Sequence, residues 1–566
     1  MRFEFESRLF HTLAVVGLVA LLGGTLTSCG AVPVGIESAS GPQAVAMSVP
    51  VAAIPAPRMD ARLAVMGIVP VPQNRDRFPQ VTPNPVKVVK EEPVSTFSVD
   101  VDTASYAFVR RMINLGHVPP PDAVRVEELI NYFDYDYPLP KSLTHPFQPT
   151  VSLFPAPWDP EKRLMLVGIK GYAPPPQERP PVHLTLLVDV SGSMDPEDRL
   201  PLLRTAFTMM VNKLRPEDTV AVVVYASEVG VRLEPTPVAE KGKILQVIND
   251  LRAGGATAGG SGIRMAYDLA KRTFDPKAVN RVILATDGDF NVGETSVNAL
   301  QALITEQRKS GVYLSVLGVG QNNLNDALMQ ALAQNGNGVA AYIDTLNEAR
   351  RVLVDNLTAN LYPIANDVKI QVEFNPERVL EYHLIGYETR QLKREDFNND
   401  KVDAGDVGAG HTVTALYELT LVGSQGKRTM EPLRYGQEER KAARVATAAT
   451  RSKDDGHGDK RAAKAHSNEY AFLKMRYKTP GESTSHLLER PITDQEAHAN
   501  ADDIPTNHRF ATAVAAFGLA LRNDPMLGDF GLDRILEQAQ KGKGEDPNGL
   551  RAEFINLVKS AQGMVK

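Results

Sequence analysis

Residues 182–194 read VHLTLLVDVSGSM and indicate the fold of the central part of this chain. A short, mostly apolar run leads into Asp189, and Ser191 and Ser193 follow at alternate positions. Runs of this kind are typical of a strand that is buried on both faces of a sheet. In an open α/β sheet, ligands bind just beyond the carboxyl ends of the strands. The stretch therefore predicts a strand that brings one carboxylate and two hydroxyls to a binding edge.

Strand and helix signals alternate over residues 182–365. Predicted strands lie at 182–189, 219–225, 281–286, 312–318 and 340–344. Predicted helices lie at 198–214, 240–251, 261–273, 297–309, 323–334 and 346–361. This alternation predicts a doubly wound, Rossmann-like α/β domain.

Two more segments carry oxygen ligands suited to the same edge. Thr257 lies in the glycine-rich stretch 254–260, GGATAGG, whose glycines allow the backbone to approach an ion closely. Asp287 comes directly after the predicted strand 281–286. Carboxylate and hydroxyl oxygens are hard ligands, matched to Mg²⁺ and similar cations. We therefore expect a divalent cation site, although Ser191 and Asp287 are also residue types that cap helices.

The five residues resemble the metal-ion-dependent adhesion site of von Willebrand factor type A (VWA) domains, whose pattern is D-x-S-x-S, a distant Thr and a distant Asp. The resemblance implies that Ser191, Ser193 and Thr257 contact the metal most directly. Asp189 and Asp287 would supply charge and orient water molecules. It also implies Mg²⁺ as the first choice of metal, with Mn²⁺ or Ca²⁺ as alternatives.

An open coordination position on such a cation should accept an acidic side chain from a protein partner. The expected function is therefore metal-dependent protein binding, without catalysis by the chain itself. One alternative is a metal-dependent envelope enzyme, for which Asp289 is the nearby candidate general base. Another is a structural envelope protein in which the VWA domain is incidental.

The N-terminus has the features of an export signal. Residues 12–28 form an uncharged apolar run that ends in Leu26-Thr27-Ser28-Cys29, and Cys29 is the only cysteine. This resembles a bacterial lipobox and implies a signal peptide over 1–28, with lipid on Cys29. The alternative is an ordinary signal peptide with a chance cysteine. The resemblance implies a lipid-anchored envelope protein, and Gly30 favours the outer membrane if the cell is Gram-negative.

The remaining regions divide the chain further. We expect a disordered tether at 29–92, a small helical region at 93–148 and strands at 149–181. After the VWA domain, 366–480 is β-rich with a flexible loop at 436–467, and 481–566 is helical. The β-rich stretches on either side of the VWA domain suggest that it is inserted into a β-sandwich, and a sheet shared by 149–172 and 366–478 would test this hypothesis.

Segments 95–140 and 381–416 resemble the regions that precede and follow the VWA domain in a group of bacterial VWA lipoproteins, the YfbK-like group. In the first segment, Asp102 or Thr103 is predicted to cap a helix. The acidic stretch 398–406 lacks EF-hand spacing and is interpreted as a polar loop, with a second cation site as the alternative. A net charge of −6 and 6% aromatic residues argue against a nucleic-acid partner.

Overall fold

The computed structural model describes residues 75–256, 259–288, 296–426, 428–431 and 466–564. The strands are β1 (Lys87–Val88), β2 (Val94–Ser98), β3 (Phe147–Pro155), β4 (Arg163–Gly171), β5 (Val182–Asp189), β6 (Thr219–Tyr225), β7 (Val229–Pro237), β8 (Val279–Thr286), β9 (Val312–Val319), β10 (Ala340–Ile343), β11 (Pro363–Phe374), β12 (Val379–Ile385), β13 (Gly405–Gly408), β14 (Thr412–Leu421), β15 (Glu469–Lys478) and β16 (His486–Thr493). The helices are α1 (Ala104–Asn114), α2 (Val126–Asn131), α3 (Leu200–Lys213), α4 (Lys241–Asp250), α5 (Gly259–Arg272), α6 (Val297–Arg308), α7 (Asp326–Asn335), α8 (Leu346–Arg350), α9 (Leu357–Leu361), α10 (Thr506–Leu521), α11 (Leu532–Lys541) and α12 (Leu550–Ala561).

The central sheet has the strand order β10-β9-β8-β5-β6-β7. Its strands pair in parallel except for β7, which runs antiparallel along the edge beside β6. The chain moves from β5 to β6 on one side and later returns to β8 on the other side of β5. The β5–β8 boundary is therefore the topological switch point, where α/β folds of this kind bind ligands.

Helices cover both faces of this sheet because its strands are apolar on both sides. On one face Leu203 and Phe207 of α3 share a buried cluster with Leu186 of β5. On the other face Tyr267 of α5 shares a second cluster with Leu187, the next residue of β5. The predicted doubly wound α/β fold is confirmed. The edge strand β7 was not predicted, since its nine residues are largely half-buried or exposed and include Glu234 and two prolines.

A second sheet joins strands from both sides of this domain in the chain, in the order β1-β12-β14-β4-β3. The strands β4 and β14 pair antiparallel from Thr412 opposite Lys170 to Leu419 opposite Arg163. The sheet is thus shared by the stretches before and after the α/β domain, as the insertion hypothesis predicted. The two ends of the insertion lie close together because the turn before β14 bonds to both: the Gly410 N–H donates to the Tyr172 carbonyl at 3.1 Å, and the Ala409 N–H donates to the Tyr362 carbonyl at 2.8 Å.

A third sheet completes a sandwich. Its order is β13-β11-β15-β16, and β2 also pairs with β11. The two sheets pack face to face through aromatic side chains: the ring of Phe374 in β11 lies 4.3 Å from that of Tyr382 in β12 and 5.3 Å from that of Tyr417 in β14. Such offset and edge-to-face pairs add to the stabilisation from apolar burial.

The helical regions from both ends of the chain form one cluster on the outer face of the second sheet. Tyr106 of α1 and Phe133, just after α2, share this buried cluster with Phe510 of α10 and Phe554 of α12. Leu166 of β4 belongs to the same cluster. The N- and C-terminal regions are therefore packed against each other and against the sandwich.

Two predicted boundaries are wrong. The segment predicted as tether, 29–92, is structured from residue 75 onward, because Arg77 bridges to Asn325 and β1 pairs with β12. The segment predicted as helical, 481–566, begins with β16, which forms a hairpin with β15 before the first helix starts at Thr506. Residues 29–74 of the tether and most of the predicted loop 436–467 lie outside the described residues.

The prediction that the side chain of Asp102 or Thr103 caps α1 is also wrong. Thr103 occupies the N-cap position of α1, but its side chain makes no capping hydrogen bond. Asp102 instead accepts the Ala340 N–H at 2.8 Å and pairs with Arg390 at 3.0 Å. This carboxylate therefore ties the N-terminal region to the α/β domain and to the segment after β12.

None of the helices in the described ranges combines the length and apolar character needed to cross a bilayer.

Candidate metal site at the switch point

The predicted site lies at the β5–β8 switch point. Asp189 is the last residue of β5, and Asp287 directly follows β8. Both residues are buried: 0% of the whole Asp189 residue and 1% of the whole Asp287 residue is exposed. Two buried carboxylates at one sheet edge are costly unless cations or hydrogen-bond donors compensate them.

The loop after β5 folds around Asp189. The Asp189 carboxylate accepts the backbone N–H of Ser191 at 2.8 Å through Oδ1, and its Oδ2 is also buried. The hydroxyl oxygens of Ser191 and Ser193 lie 3.1 Å apart. One carboxylate oxygen and two hydroxyls are thus collected within a single turn, and Ser191 is not a helix cap through its side chain.

The glycine-rich loop is hydrogen-bonded to the same turn. The Gly192 N–H donates to the Gly255 carbonyl at 2.9 Å, and the Gly254 N–H donates to the Val190 carbonyl at 2.7 Å. Gly255 has φ +84°, and a Cβ there would lie 2.6 Å from the Ser227 hydroxyl. Glycine at 255 is therefore needed for both conformation and space. Thr257 itself lies outside the described residues, as does Asp289.

A guanidinium that sequence reasoning missed links Asp287 to the Asp189 loop. Arg199 donates to Asp287 Oδ2 at 2.7 Å and, from the same nitrogen, to the Ser193 carbonyl. The single side chain of Arg199 thus contacts both Asp287 and the 189–193 turn, so Asp287 lies close to that turn. Ser227 was also missed; its hydroxyl accepts the Ala256 N–H at 2.8 Å. Neither residue belongs to a periodic pattern or to the five-residue motif, so no local signal marked them.

The electrostatics of the site follow from its burial. Burial raises the pKa of Asp189 to about 6, hydrogen bonds from Ser191 partly oppose this rise, and the nearby Asp287 carboxylate adds to it. The site therefore favours the arrival of positive charge. Among the described residues no cluster of three or more His, Cys, Asp or Glu side chains has metal-holding geometry. Here the donors are hydroxyls and two carboxylates, a set that fits a hard divalent cation.

Comparisons with known proteins agree with this architecture. The family model "von Willebrand factor type A domain" matches residues 183–355, and the model "Uncharacterized protein YfbK, C-terminal" matches residues 359–564. A third model, "von Willebrand factor", matches residues 72–166. The matches divide the chain near the ends of the α/β insertion.

One similar relative is "Uncharacterized protein YfbK" of Escherichia coli strain K12, which is 42% identical over 494 residues, covering 86% of this chain and 81% of the relative. Inter-alpha-trypsin inhibitor heavy chain H3 of Mesocricetus auratus is 25% identical over 259 residues, covering 43% of this chain and 29% of that protein. Among solved structures, a von Willebrand factor type A protein from Catenulispora acidiphila has a TM-score of 0.40 at 14% identity and covers 74% of this chain and 91% of that one. The extent of the first match decides the family, and the chain belongs to the YfbK group of bacterial proteins that carry a VWA domain.

Proposed function

We propose that this chain is a metal-dependent protein-binding module of the bacterial cell envelope, anchored by lipid on Cys29. The observation that carries the proposal is the arrangement of Asp189, Ser191, Ser193 and Asp287 at the switch point, where two buried carboxylates and two hydroxyls lie at one sheet edge. VWA domains commonly bind divalent metal ions, and these side chains are of the type that would hold one.

The proposed ligands are Ser191, Ser193 and Thr257, with Asp189 and Asp287 supplying charge and orienting water. Mg²⁺ is the proposed metal, with Mn²⁺ or Ca²⁺ as alternatives. A bound divalent cation would supply an electrophilic coordination position for an acidic side chain of a protein partner. The turn at 191–193 is at the protein surface, since Gly192 is exposed and Ser193 is half-buried, so a partner can reach it.

We propose no catalysis by the chain itself. Arg199, which contacts Asp287, presents only N–H donors and no acceptor, so it cannot serve as a general base. Asp289, the base that a metal-dependent enzyme would need here, lies outside the described residues. The ordering of Asp189 and Asp287 by buried hydrogen bonds supports a role in holding a cation.

Calorimetric titration with Mg²⁺ and Mn²⁺ tests the site. We expect one equivalent of metal to bind the wild type, and the S191A/S193A double variant to lose that binding. T205A is the matched control, because Thr205 lies on α3 and its exposed hydroxyl donates only locally, to Pro201. Equal metal uptake by the double variant and the wild type would refute the site assignment.

Two experiments in cells test the rest. Crosslinking and mass spectrometry in intact cells should recover a partner with the wild type and lose it with D287A, since the proposal makes partner binding depend on the metal. Labelling with an alkyne fatty acid should mark the wild type and leave C29A unmarked. Equal labelling of both proteins would contradict the anchor without affecting the metal site.

A further inference from the structure

Arg199 is held in a fixed position between three loops at the proposed metal site. Besides its contacts with Asp287 and the Ser193 carbonyl, its second guanidinium nitrogen donates to the Gln321 carbonyl at 3.1 Å. The Arg199 side chain is 14% exposed, and the side chain of Asp287 is 0% exposed. Ion pairs of this depth are screened by solvent much less than surface pairs are.

The surroundings of Arg199 leave its side chain little freedom. Gly320 has φ +79°, and a Cβ at that position would overlap the arginine side chain. The loop that contains Gly320 and Gln321 is in turn fastened by the segment before β1: the Arg75 N–H donates to the Asn322 carbonyl at 3.0 Å, and the Arg77 N–H donates to the Leu324 carbonyl at 2.8 Å. The guanidinium is therefore built into the site by backbone contacts on two sides.

Arg199 changes the net charge of the metal-loaded site. Asp189 and Asp287 together would neutralise one divalent cation, and the guanidinium then adds a positive charge that neither carboxylate is left to balance. Positive charges within a few ångströms of each other at a partly buried position repel strongly. The same excess charge attracts an incoming carboxylate.

We propose that Arg199 is a permanent positive charge of the site, which lowers its affinity for the divalent cation and raises the affinity of the loaded site for a carboxylate ligand. The proposal rests on the proposed metal site. Arg199 acts through its charge and by positioning Asp287; its donors face Asp287 and two carbonyl groups, so it is a positioning residue and not a ligand. The site thereby gives up metal affinity and gains affinity for an acidic partner.

Titration of the full chain with Mn²⁺ tests the first effect. Removal of the charge in R199Q and R199M should tighten Mn²⁺ binding about tenfold or more, while R199K should stay near the wild type. R204Q is the matched control, because Arg204 lies on α3 and donates only to the carbonyls of Asn249 and Leu251. Two charge-removing variants are compared, and one that folds is enough for the test. Thermal unfolding of each variant without metal shows whether it is folded.

Acetate is the probe for the second effect. Water-proton relaxation by the Mn²⁺-loaded protein should fall as acetate displaces metal-bound water, and R199Q should need about tenfold more acetate than the wild type. Unchanged or weaker Mn²⁺ binding in folded R199Q and R199M would overturn the inference and leave the metal site intact. A wild type that binds no Mn²⁺ would overturn the proposed function, and this inference with it.

Discussion

Leu166 of β4 lies directly opposite Leu416 of β14, and the whole α/β domain is inserted in the chain between these two strands. Both side chains are fully buried, in the cluster that the terminal helices form against this sheet. This pairing joins the part of the sandwich before the insertion to the part after it.

The variant L416A tests how much this pairing contributes to stability. Removal of the buried side chain should lower the free energy of unfolding by about 2–5 kcal/mol, because transfer free energy is lost and a cavity remains. Urea unfolding followed by the fluorescence of Trp158 would measure it. The control is L487A, since Leu487 in β16 is 52% exposed and its loss should cost less than about 0.5 kcal/mol. A cost equal to that of the control would mean that this seam is not a core contact.

The two neighbouring glycines of the 254–255 loop should respond differently to alanine. In G255A the new Cβ meets the Ser227 hydroxyl and φ is positive, so the loop should shift and metal affinity should fall several-fold. In G254A the new Cβ meets nothing within 4 Å, so affinity should stay near that of the wild type. Calorimetric titration with Mg²⁺ would compare the two variants. Equal affinities would show that the Gly192–Gly255 hydrogen bond does not organise the site.

A buried ion-pair triad should contribute strongly to stability. Arg390 contacts Asp100 at 2.9 Å and Asp102 at 3.0 Å, with all three side chains at most 10% exposed. R390M would leave two buried carboxylates unpaired, which should cost about 3–5 kcal/mol of stability. The control R272M breaks a pair with Glu234 in which both side chains are more than half exposed, and should cost less than about 1 kcal/mol. Chemical unfolding would measure both variants; a small loss in R390M would show that solvent reaches the triad.

Glu127 on α2 should make stability depend on pH. Burial, with smaller contributions from the carboxylates of Glu388 and Asp100, raises the pKa of Glu127 from its ordinary value of 4.5 to about 8. Between these values the unfolded chain releases a proton that the folded protein keeps, so this group destabilises the fold progressively as pH rises from about 4.5 to about 8.

The near-isosteric variant E127Q removes this titration. The free energy of unfolding of E127Q minus that of the wild type should therefore rise between pH 5 and pH 8. This difference should change little below pH 5. Urea unfolding at several pH values would measure the difference. E377Q, at an exposed position, serves as the control and should show no such trend. A pH-independent difference for E127Q would contradict the raised pKa.

The local pattern of the sequence determined the α/β domain and predicted that Asp189 and Asp287 lie at one edge of its sheet. Strands such as β5 and β6 are short apolar runs, and α3 carries an apolar stripe, so periodicity alone predicts them. Because residues after parallel strands meet at one sheet edge, the positions of Asp189 and Asp287 in the chain already predicted their proximity. The pairing of the two β-rich flanks also followed from the pattern of alternation on either side of the insertion.

Only the tertiary structure decided the rest, because these features depend on partners distant in the chain. Asp102 is a residue type that often caps helices, but folding brings Arg390, which is distant in the chain, against its carboxylate. The two form a buried ion pair. β16 is exposed along much of its length and lacks an apolar period, so its own sequence does not predict a strand. It is a strand because it pairs with β15. Arg199 carries no signal in its own segment; its role arises because folding places its guanidinium against Asp287, whose buried carboxylate needs a compensating positive charge.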